Sequence, residues 1–254
     1  MDTHLTLPSF RLDGQSALVT GAGSGLGAAI AMGLAQSGAQ VTLLGRTRAT
    51  LDETAAVITK QGGQAHVVVA DVTDSKAIRD VIAAMPKLNV LINNAGTNFP
   101  EPFVDVSDDH LDAMLNLNVR AAFVVAQAVA RNMLATKTAG AIINISSQMG
   151  HVGSPNRTAY CMTKHALEGL TKAMAVELAP HVRVNSIGPT FSDTPLVRRI
   201  VDSPEKRDWV MSKIPMGRLV KTEEIAAAAI FLASPAAAMI TGTHLIVDGG
   251  WTAQ

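Results

Sequence analysis

Three polar residues in the second half of the chain have the types and the spacing for proton transfer. Tyr160 and Lys164 stand at positions i and i+4 of a helical pattern, so a helix places both side chains on one face. A free tyrosine has a pKa of about 10, and a nearby ammonium group favours its phenolate form. Ser147 follows an apolar run and can donate a hydrogen bond to a carbonyl oxygen as charge develops there. Each residue alone is commonplace, but together they predict acid–base chemistry at a carbonyl or hydroxyl group.

A glycine-rich segment near the N-terminus predicts the second reactant. It reads Thr20-Gly21-Ala22-Gly23-Ser24-Gly25-Leu26-Gly27 and lies between an apolar run and a helical pattern. Gly21 permits a tight turn, while Gly25 and Gly27 let the backbone approach a pyrophosphate at the N-terminus of the helix. A strand, a glycine turn and a helix in this order predict a dinucleotide-binding site. With Tyr160, the chain is predicted to transfer hydride.

The residues after the second predicted strand indicate which dinucleotide is bound. An acid at this point binds the adenosine 2′-hydroxyl group, whereas a basic residue accommodates a 2′-phosphate. Gly45 stands where the acid is expected, and Arg46 follows it. The pattern favours NADP(H), with Arg46 and Thr47 as ligands of the phosphate, over NAD(H). The alternative is that Arg46 is a solvated surface residue.

Two further segments are predicted to line the cofactor. Asp71 and Val72 follow the third predicted strand, where Asp71 either binds the adenine amino group or caps the next helix. Asn94, Ala95 and Gly96 follow the fourth predicted strand and are expected to lie against the ribose. Lys164 is expected to bind the nicotinamide ribose hydroxyl groups as well.

Alternating short apolar runs and helical patterns predict the fold that positions these residues. The predicted strands are 17–20, 40–44, 65–70, 90–93, 140–146, 182–186 and 244–247, and the predicted helices are 25–37, 49–61, 75–85, 107–135, 158–178 and 222–233. The fourth helix is predicted to be either two helices or one bent helix. This alternation predicts an α/β fold, a single doubly wound Rossmann-type domain over residues 1–254 with a seven-stranded parallel sheet. Ligands of such a sheet bind at the carboxyl ends of its strands.

A segment at about 190–215 interrupts the alternation. It is predicted to form two short helices, the second capped by Ser203 with Pro204 at its first position. Its apolar residues suit a mobile lid over the substrate. The alternative is that they pack on the core.

Composition limits the partners of this chain of 254 residues. The formal net charge is zero and no block of basic residues occurs, so neither nucleic acid nor an anionic membrane is an expected partner. An uncharged stretch at 225–243 is long enough to span a bilayer, but turn signals at Ser234-Pro235 and Thr241-Gly242 split it. The single cysteine, Cys161, and an N-terminus without a secretory signal predict a cytoplasmic protein.

The glycine segment, Asn93-Asn94-Ala95-Gly96, Ser147 and Tyr160-Cys161-Met162-Thr163-Lys164 together resemble the short-chain dehydrogenase/reductase family, from about Leu12 to Gly250. The resemblance implies that Asn118 completes a catalytic tetrad and holds a water molecule that links Lys164 to solvent. It also implies that Pro189 and Thr194 contact the nicotinamide carboxamide. Members of the family commonly form homotetramers, and no metal ligand is expected.

The substrate is a small molecule with a carbonyl or alcohol group, and its class is open. Candidate pocket residues are Asn98, Gln148, His151, Asn156, Phe191 and Trp209. The favoured class is a ketone reductase similar to 3-oxoacyl reductases, to which the apolar lid points. The second is a sugar-acid or polyol dehydrogenase similar to gluconate 5-dehydrogenases, which the polar residues after Ser147 favour. A non-catalytic NADP(H)-binding sensor or scaffold is the third, and the phenol of Tyr160 counts against it.

Overall fold

A parallel β-sheet organises the protein in the computed structural model, which describes residues 6–254. Within those residues the sheet has seven strands in the order β3-β2-β1-β4-β5-β6-β7. The strands are β1 (Ser16–Thr20), β2 (Gln40–Gly45), β3 (Gln64–Val69), β4 (Val90–Asn93), β5 (Gly140–Ile145), β6 (Val182–Pro189) and β7 (His244–Val247). Every neighbouring pair is parallel, as the alternating pattern predicts.

Helices connect the strands and cover both faces of the sheet. They are α1 (Gly25–Gln36), α2 (Arg48–Lys60), α3 (Ser75–Ala83), α4 (Asp108–Met114), α5 (Ala122–Ala135), α6 (Thr158–Leu178), α7 (Pro195–Ile200), α8 (Pro204–Ser212) and α9 (Thr222–Ala233). Ile92 and Ile143 pack with α1, α2 and α9, whereas Leu91 and Ile142 pack with α3, α5 and α6. Because successive strand residues point to opposite faces, apolar runs without alternation are buried on both sides.

The region 107–135 is one helical stretch that changes its winding. A π-helical segment, Leu115–Ala121, joins α4 to α5. The sequence predicts either a break or a bend here, and the π segment accommodates the extra residues without ending the helix. Such segments are frequent at functional sites, and this one carries Asn118.

The sixth strand extends three residues beyond its predicted end. Pairing with β7 continues through Gly188 and Pro189, which lie opposite Ile246 and Val247. The apolar run predicts an end at Ser186, and glycine and proline, which follow two residues later, usually interrupt strands. The strand that pairs with this extension is β7, which lies about 55 residues later in the sequence, so the local sequence gives no sign of it.

The apolar stretch at 225–243 divides where its turn signals lie, since α9 ends at Ala233 and β7 begins at His244. A different helical stretch, Asp108–Ala135, is long and apolar enough to cross a membrane by length and composition. More than half of its apolar window is buried inside the protein, where it packs against α3 and the sheet. This burial is typical of a core helix.

The predicted lid segment forms the two expected short helices. Ser203 caps α8 by accepting a hydrogen bond from the backbone N–H of Lys206, with Pro204 at the first position. Val210 and Ile214 are buried in a small apolar cluster with Phe191. Part of the segment therefore packs on the core, and its motion as a lid stays a prediction.

Candidate active site

The glycine turn between β1 and α1 forms one wall of a cleft at the carboxyl edge of the sheet. Gly21 and Gly25 have φ values of +66° and +55°, which other residues rarely adopt. A Cβ atom on Gly27 would collide with the carbonyl oxygen of Gly21. The turn therefore requires glycine at these three positions, and it leaves the N-terminal end of α1 facing the cleft.

Asn94 fixes the floor of the same cleft. Its side-chain amide donates to the carbonyl oxygen of Thr20 at 2.9 Å, and its backbone N–H donates to the hydroxyl of Thr20 at 2.9 Å. These bonds hold the end of β4 against the end of β1. A dinucleotide laid across this edge meets backbone and small side chains, as the fingerprint requires.

The cleft has a volume of about 530 Å³ and gathers most of the predicted cofactor residues. Its lining includes Gly21, Ser24, Gly25, Leu26, Arg46, Asp71, Val72, Asn94, Ala95, Gly96, Tyr160, Lys164 and Thr194. Gly27 lies behind the turn, Thr47 flanks the first residue of α2, and Pro189 lines the adjoining cavity. The glycine turn, the open helix N-terminus and a cleft whose lining runs from Arg46 to Lys164 fit a dinucleotide.

Arg46 and Asp71 form the outer end of the cleft. Nη1 of Arg46 lies 3.9 Å from Oδ2 of Asp71, and three quarters of the arginine side chain is exposed. Asp71 accepts hydrogen bonds through Oδ1 from the backbone N–H of Thr73 at 2.9 Å and from its hydroxyl at 2.8 Å. The residue that caps α3 is Asp74, so the capping role considered for Asp71 is wrong.

Tyr160 and Lys164 lie on one face of α6, as their spacing predicts. Nζ of Lys164 lies 5.6 Å from the centre of the Tyr160 ring and donates to the carbonyl oxygen of Ile145, the last residue of β5, at 2.8 Å. Ser147 is buried just after β5, and its hydroxyl donates to Oε1 of Gln148 at 2.8 Å. The three predicted catalytic side chains therefore meet beside the end of β5.

Burial sets the protonation of the two titratable groups. It raises the pKa of Tyr160 to about 12, although a hydrogen bond with Ser147 acts in the opposite direction. Burial lowers the pKa of Lys164 to about 8, and the charge of Glu168 opposes this change. The sequence predicts that the ammonium group of Lys164 and an oxidised nicotinamide ring together favour the phenolate of Tyr160. In the protein alone, loss of hydration outweighs the neighbouring charges and raises the pKa, and the combined effect with the cofactor stays a prediction.

Asn118 lies between the π segment and the end of β4. Its Oδ1 accepts from the backbone N–H of Thr97 at 2.8 Å, and its Nδ2 donates to the carbonyl oxygen of Thr97 at 2.9 Å. Nδ2 also donates to the hydroxyl of Thr163, the residue before Lys164, at 3.1 Å. Asn118 thus joins the loop after β4 to α6, next to the catalytic lysine.

A smaller cavity of about 120 Å³ adjoins Ser147 and Tyr160. Of the predicted substrate residues, Asn98, Gln148 and Phe191 line it. The others lie elsewhere: His151 faces Glu168, the ring of Trp209 packs 5.7 Å from that of Trp251, and the carbonyl oxygen of Asn156 accepts from Glu101. The structure therefore brings together half of the predicted substrate residues.

Several lining residues carry no signal in the sequence patterns. Arg199 on α7 lines the cofactor cleft, although its position in a charged pair favours a solvated residue. Leu196 lines both cavities, and Thr190 lines the smaller one. Their placement depends on how the segment after β6 folds back, which local patterns do not specify.

Comparisons with known proteins agree with this geometry. A family model described as "Enoyl-(Acyl carrier protein) reductase" matches residues 21–252. The gluconate 5-dehydrogenase of Gluconobacter oxydans (strain 621H) is 39% identical over 248 residues, which cover 96% of each chain. The chain belongs to the short-chain dehydrogenase/reductase family. As a member of this family, it is an NAD(P)-dependent oxidoreductase that acts on carbonyl or alcohol groups.

Two further members of the short-chain dehydrogenase/reductase family resemble it closely over their full length. The L-xylulose reductase of Bos taurus is 38% identical over 244 residues, covering 96% of this chain and 98% of that protein. The crystal structure of a gluconate 5-dehydrogenase from Burkholderia cenocepacia J2315, in complex with NADP and tartrate, superposes with a TM-score of 0.92. It is 36% identical and covers 96% of this chain and 98% of that chain. The Rossmann-type fold predicted from the sequence is thereby confirmed.

The buried ammonium group of Lys164 predicts a pH dependence of stability. Its pKa is about 8 in the folded protein against an ordinary value of 10.5. Between these values the unfolded chain binds more protons, so stability rises with pH by at most about 1.4 kcal/mol per pH unit. Below about pH 8 Lys164 is protonated in both the folded and the unfolded chain, so the free-energy cost of burying its charge lowers stability in full.

Urea unfolding of the wild type and of Lys164→Met at several pH values tests this dependence. The stability of the wild type relative to Lys164→Met is expected to rise from pH 8 to pH 10. Lys172→Met, which removes an exposed lysine from the same helix, is the matched control. A Lys164→Met difference that stays constant over this range would contradict the burial argument.

Proposed function

We propose that the protein uses NADP(H) to interconvert a ketone and a secondary alcohol on a polyhydroxylated substrate, a ketose or a keto sugar acid. The observation that carries the substrate class is a set of unpaired polar atoms beside the catalytic residues. Asn98, Gln148 and Thr190 all line the cavity next to Tyr160. Oδ1 of Asn98, Nε2 of Gln148 and Oγ1 of Thr190 are buried and find no hydrogen-bond partner among residues 6–254.

Buried polar atoms without partners favour a ligand that supplies them. Leaving a buried donor or acceptor unpaired costs about 1–3 kcal/mol per group. The three atoms comprise an acceptor, a donor and a hydroxyl that can do either. Substrate hydroxyl groups act as both donors and acceptors, so a polyol satisfies all three, whereas an alkyl chain satisfies none. A site of this kind discriminates strongly against analogues that lack the hydroxyl groups.

The named relatives support the same class. Two of them are called L-xylulose reductase and gluconate 5-dehydrogenase. The second candidate is a 3-oxoacyl thioester or another apolar ketone, because Phe191, Leu196 and Val197 give the cavity an apolar wall. We favour the polyhydroxylated substrate because an apolar wall also packs against the carbon face of a sugar.

The catalytic residues suit reduction near neutral pH. A reduced nicotinamide held in the cleft would supply a hydride to the carbonyl carbon. Tyr160, with its pKa raised by burial to about 12, stays protonated and gives its proton to the substrate oxygen. The hydroxyl of Ser147 donates a second hydrogen bond to that oxygen once it turns from Gln148. Lys164 holds the ribose, and Asn118 keeps α6 in place beside the loop after β4.

A sensor or scaffold without turnover is the remaining class of function. Such a protein needs the cofactor cleft but has no use for a half-buried phenol beside a buried serine. Ser147, Tyr160 and Lys164 converge on one point, and this convergence supports an enzyme.

Arg46 supports the choice of NADP(H). Its guanidinium group stands at the outer rim of the cleft, largely exposed and paired only at 3.9 Å with Asp71. Position 45, at the end of β2, is a glycine and carries no carboxylate. The N–H donors of the Arg46 guanidinium group can therefore bind a 2′-phosphate, and β2 carries no carboxylate that would repel it. A relative with a solved structure contains NADP.

Arg46→Ala tests the cofactor assignment. The Michaelis constant for NADPH is expected to rise about tenfold or more, because a charge-assisted hydrogen bond to phosphate is lost. The constant for NADH, which lacks the 2′-phosphate, is expected to change little. Arg48→Ala removes a neighbouring exposed arginine and is the control. Equal effects of Arg46→Ala on both cofactors would overturn the assignment.

A substrate panel with one variant tests the substrate class. NADPH oxidation is measured with L-xylulose, 5-ketogluconate, a 3-oxoacyl thioester and an aromatic ketone. The two sugars are expected to give the highest kcat/KM. Gln148→Met, which loses the unpaired donor, is expected to lower kcat/KM for the sugars about tenfold or more and to spare the aromatic ketone. Gln64→Met makes the same substitution at an exposed glutamine outside both cavities and is the control. A higher kcat/KM for the thioester or the aromatic ketone than for the sugars would contradict the proposal.

We further propose a homotetramer in the cytoplasm. Large apolar side chains are exposed on α5, on α6 and before β7, among them Phe123, Met162, Val176 and Met239. Val176 and Met239 are 81% and 95% exposed, which supports their burial between subunits. The lone cysteine, Cys161, is buried and unpaired, which suits a reducing compartment.

A further inference from the structure

Two histidines and a glutamate converge behind the catalytic residues. Nε2 of His151 lies 3.5 Å from Oε1 of Glu168, and Nδ1 of His244 contacts Oε2 of the same carboxylate. One ligand atom from each residue lies within 4.8 Å of the other two. Ser186 donates to Oε2 of Glu168 at 2.7 Å and so fixes the orientation of the carboxylate.

The Glu168 carboxylate is buried, yet one of its oxygens has no hydrogen-bond partner in the described part of the chain. Only 8% of the Glu168 side chain is exposed, and its Oε1 has no hydrogen-bond partner within residues 6–254. That oxygen points towards Nε2 of His151. A buried carboxylate oxygen without a donor needs a cation or a hydrogen bond to offset its lost hydration.

We propose that His151, Glu168 and His244 bind a divalent transition-metal ion, with zinc as the favoured ion. Two imidazole nitrogens and one carboxylate are a ligand set that zinc uses, whereas magnesium and calcium prefer oxygen ligands alone. Ligands at about 2.0–2.2 Å from a tetrahedral zinc ion lie roughly 3.4 Å apart. The His151–Glu168 separation of 3.5 Å already meets that requirement. Nδ1 of His244 lies closer to Oε2 than two zinc ligands can and also contacts the hydroxyl of Ser186, so the His244 ring must move away from Oε2 when the ion binds.

The site is open to ions from solvent and lies on elements that carry catalytic residues. The side chains of His151 and His244 are 25% and 16% exposed, so an ion can enter from solvent between them. His151 ends the short turn that begins after Ser147, and Glu168 lies one helical turn beyond Lys164 on α6. His244 is the first residue of β7. A bound ion would therefore clamp three elements, two of which carry catalytic residues, without touching the reacting atoms.

The site is independent of the substrate class proposed above. Its residues do not line either cavity described for cofactor and substrate. The sequence predicts no metal ligand, because the three residues come from distant segments and lack a short ligand motif.

Zinc binding to the full-length, chelator-treated protein tests the proposal. Calorimetric titration with zinc chloride is expected to show one high-affinity site per chain. Saturating zinc is expected to raise Tm by about 5 °C. Magnesium chloride is expected to do neither. His151→Gln and His244→Gln are each expected to weaken zinc binding on the order of 100-fold. Loss of a residue that only hydrogen-bonds to a metal ligand already weakens metal binding by up to about 100-fold.

His165→Gln is the matched control, since His165 is exposed on α6 outside the cluster. It is expected to bind zinc as the wild type does. Far-UV circular dichroism and NADPH fluorescence check that each variant is folded. Absence of high-affinity zinc binding in the wild type, or binding that His151→Gln and His244→Gln leave intact, would overturn the proposal.

X-ray absorption at the zinc edge gives a test that needs no variant. The proposal predicts a first shell with two imidazole nitrogens at about 2.0–2.1 Å. A shell of oxygen atoms alone, or one that contains sulfur, would place the ion elsewhere and contradict the assignment.

Discussion

The hydrogen bond from the ammonium group of Lys164 to the carbonyl oxygen of Ile145 determines the geometry of the whole site. At 2.8 Å it ties the middle of α6 to the end of β5 in the interior. A buried ammonium group is costly without such a partner, so this contact fixes the register of helix and strand. Tyr160, one turn earlier, is thereby held beside Ser147. The same placement removes water from the phenol and raises its pKa, which keeps the group protonated near neutral pH.

The cofactor edge depends on close approach of backbone segments. Gly21, Gly25 and Gly27 let β1 turn into α1 without side chains, and Asn94 ties this turn to the end of β4. These contacts align the ends of β1, β4 and β5, so the phosphate end and the catalytic end of the cleft form one continuous groove. The parallel sheet makes this possible, because all its strands finish at the same edge.

Most of the fold and the central part of the site could be predicted from the sequence because their signals are local. The glycine turn and the Tyr160–Lys164 pair depend on residues a few positions apart. The strands are short apolar runs that burial on both faces makes recognisable. Long-range contacts are what local patterns miss. Pairing with β7 lengthens β6, and Arg199 reaches the cleft only because the chain after β6 folds back.

The pKa of Tyr160 shows a second limit of sequence reasoning. The spacing to Lys164 indicates the neighbouring charge but says nothing of how deeply the phenol is buried. Likewise, the assignment of His151 as a substrate residue followed from its nearness to Ser147 along the chain. Its side chain instead faces Glu168 and His244, and the strand that brings His244 there is the last of the sheet.

The most direct test of the account is the rate of NADPH-dependent reduction by Tyr160→Phe. Tyr160 is the only tyrosine of the chain, so the substitution removes every phenol. We expect kcat to fall by at least about 100-fold while the affinity for NADPH, measured by fluorescence titration, is nearly unchanged. A variant that keeps kcat within a few-fold of the wild type would contradict the assignment of Tyr160 as the proton donor.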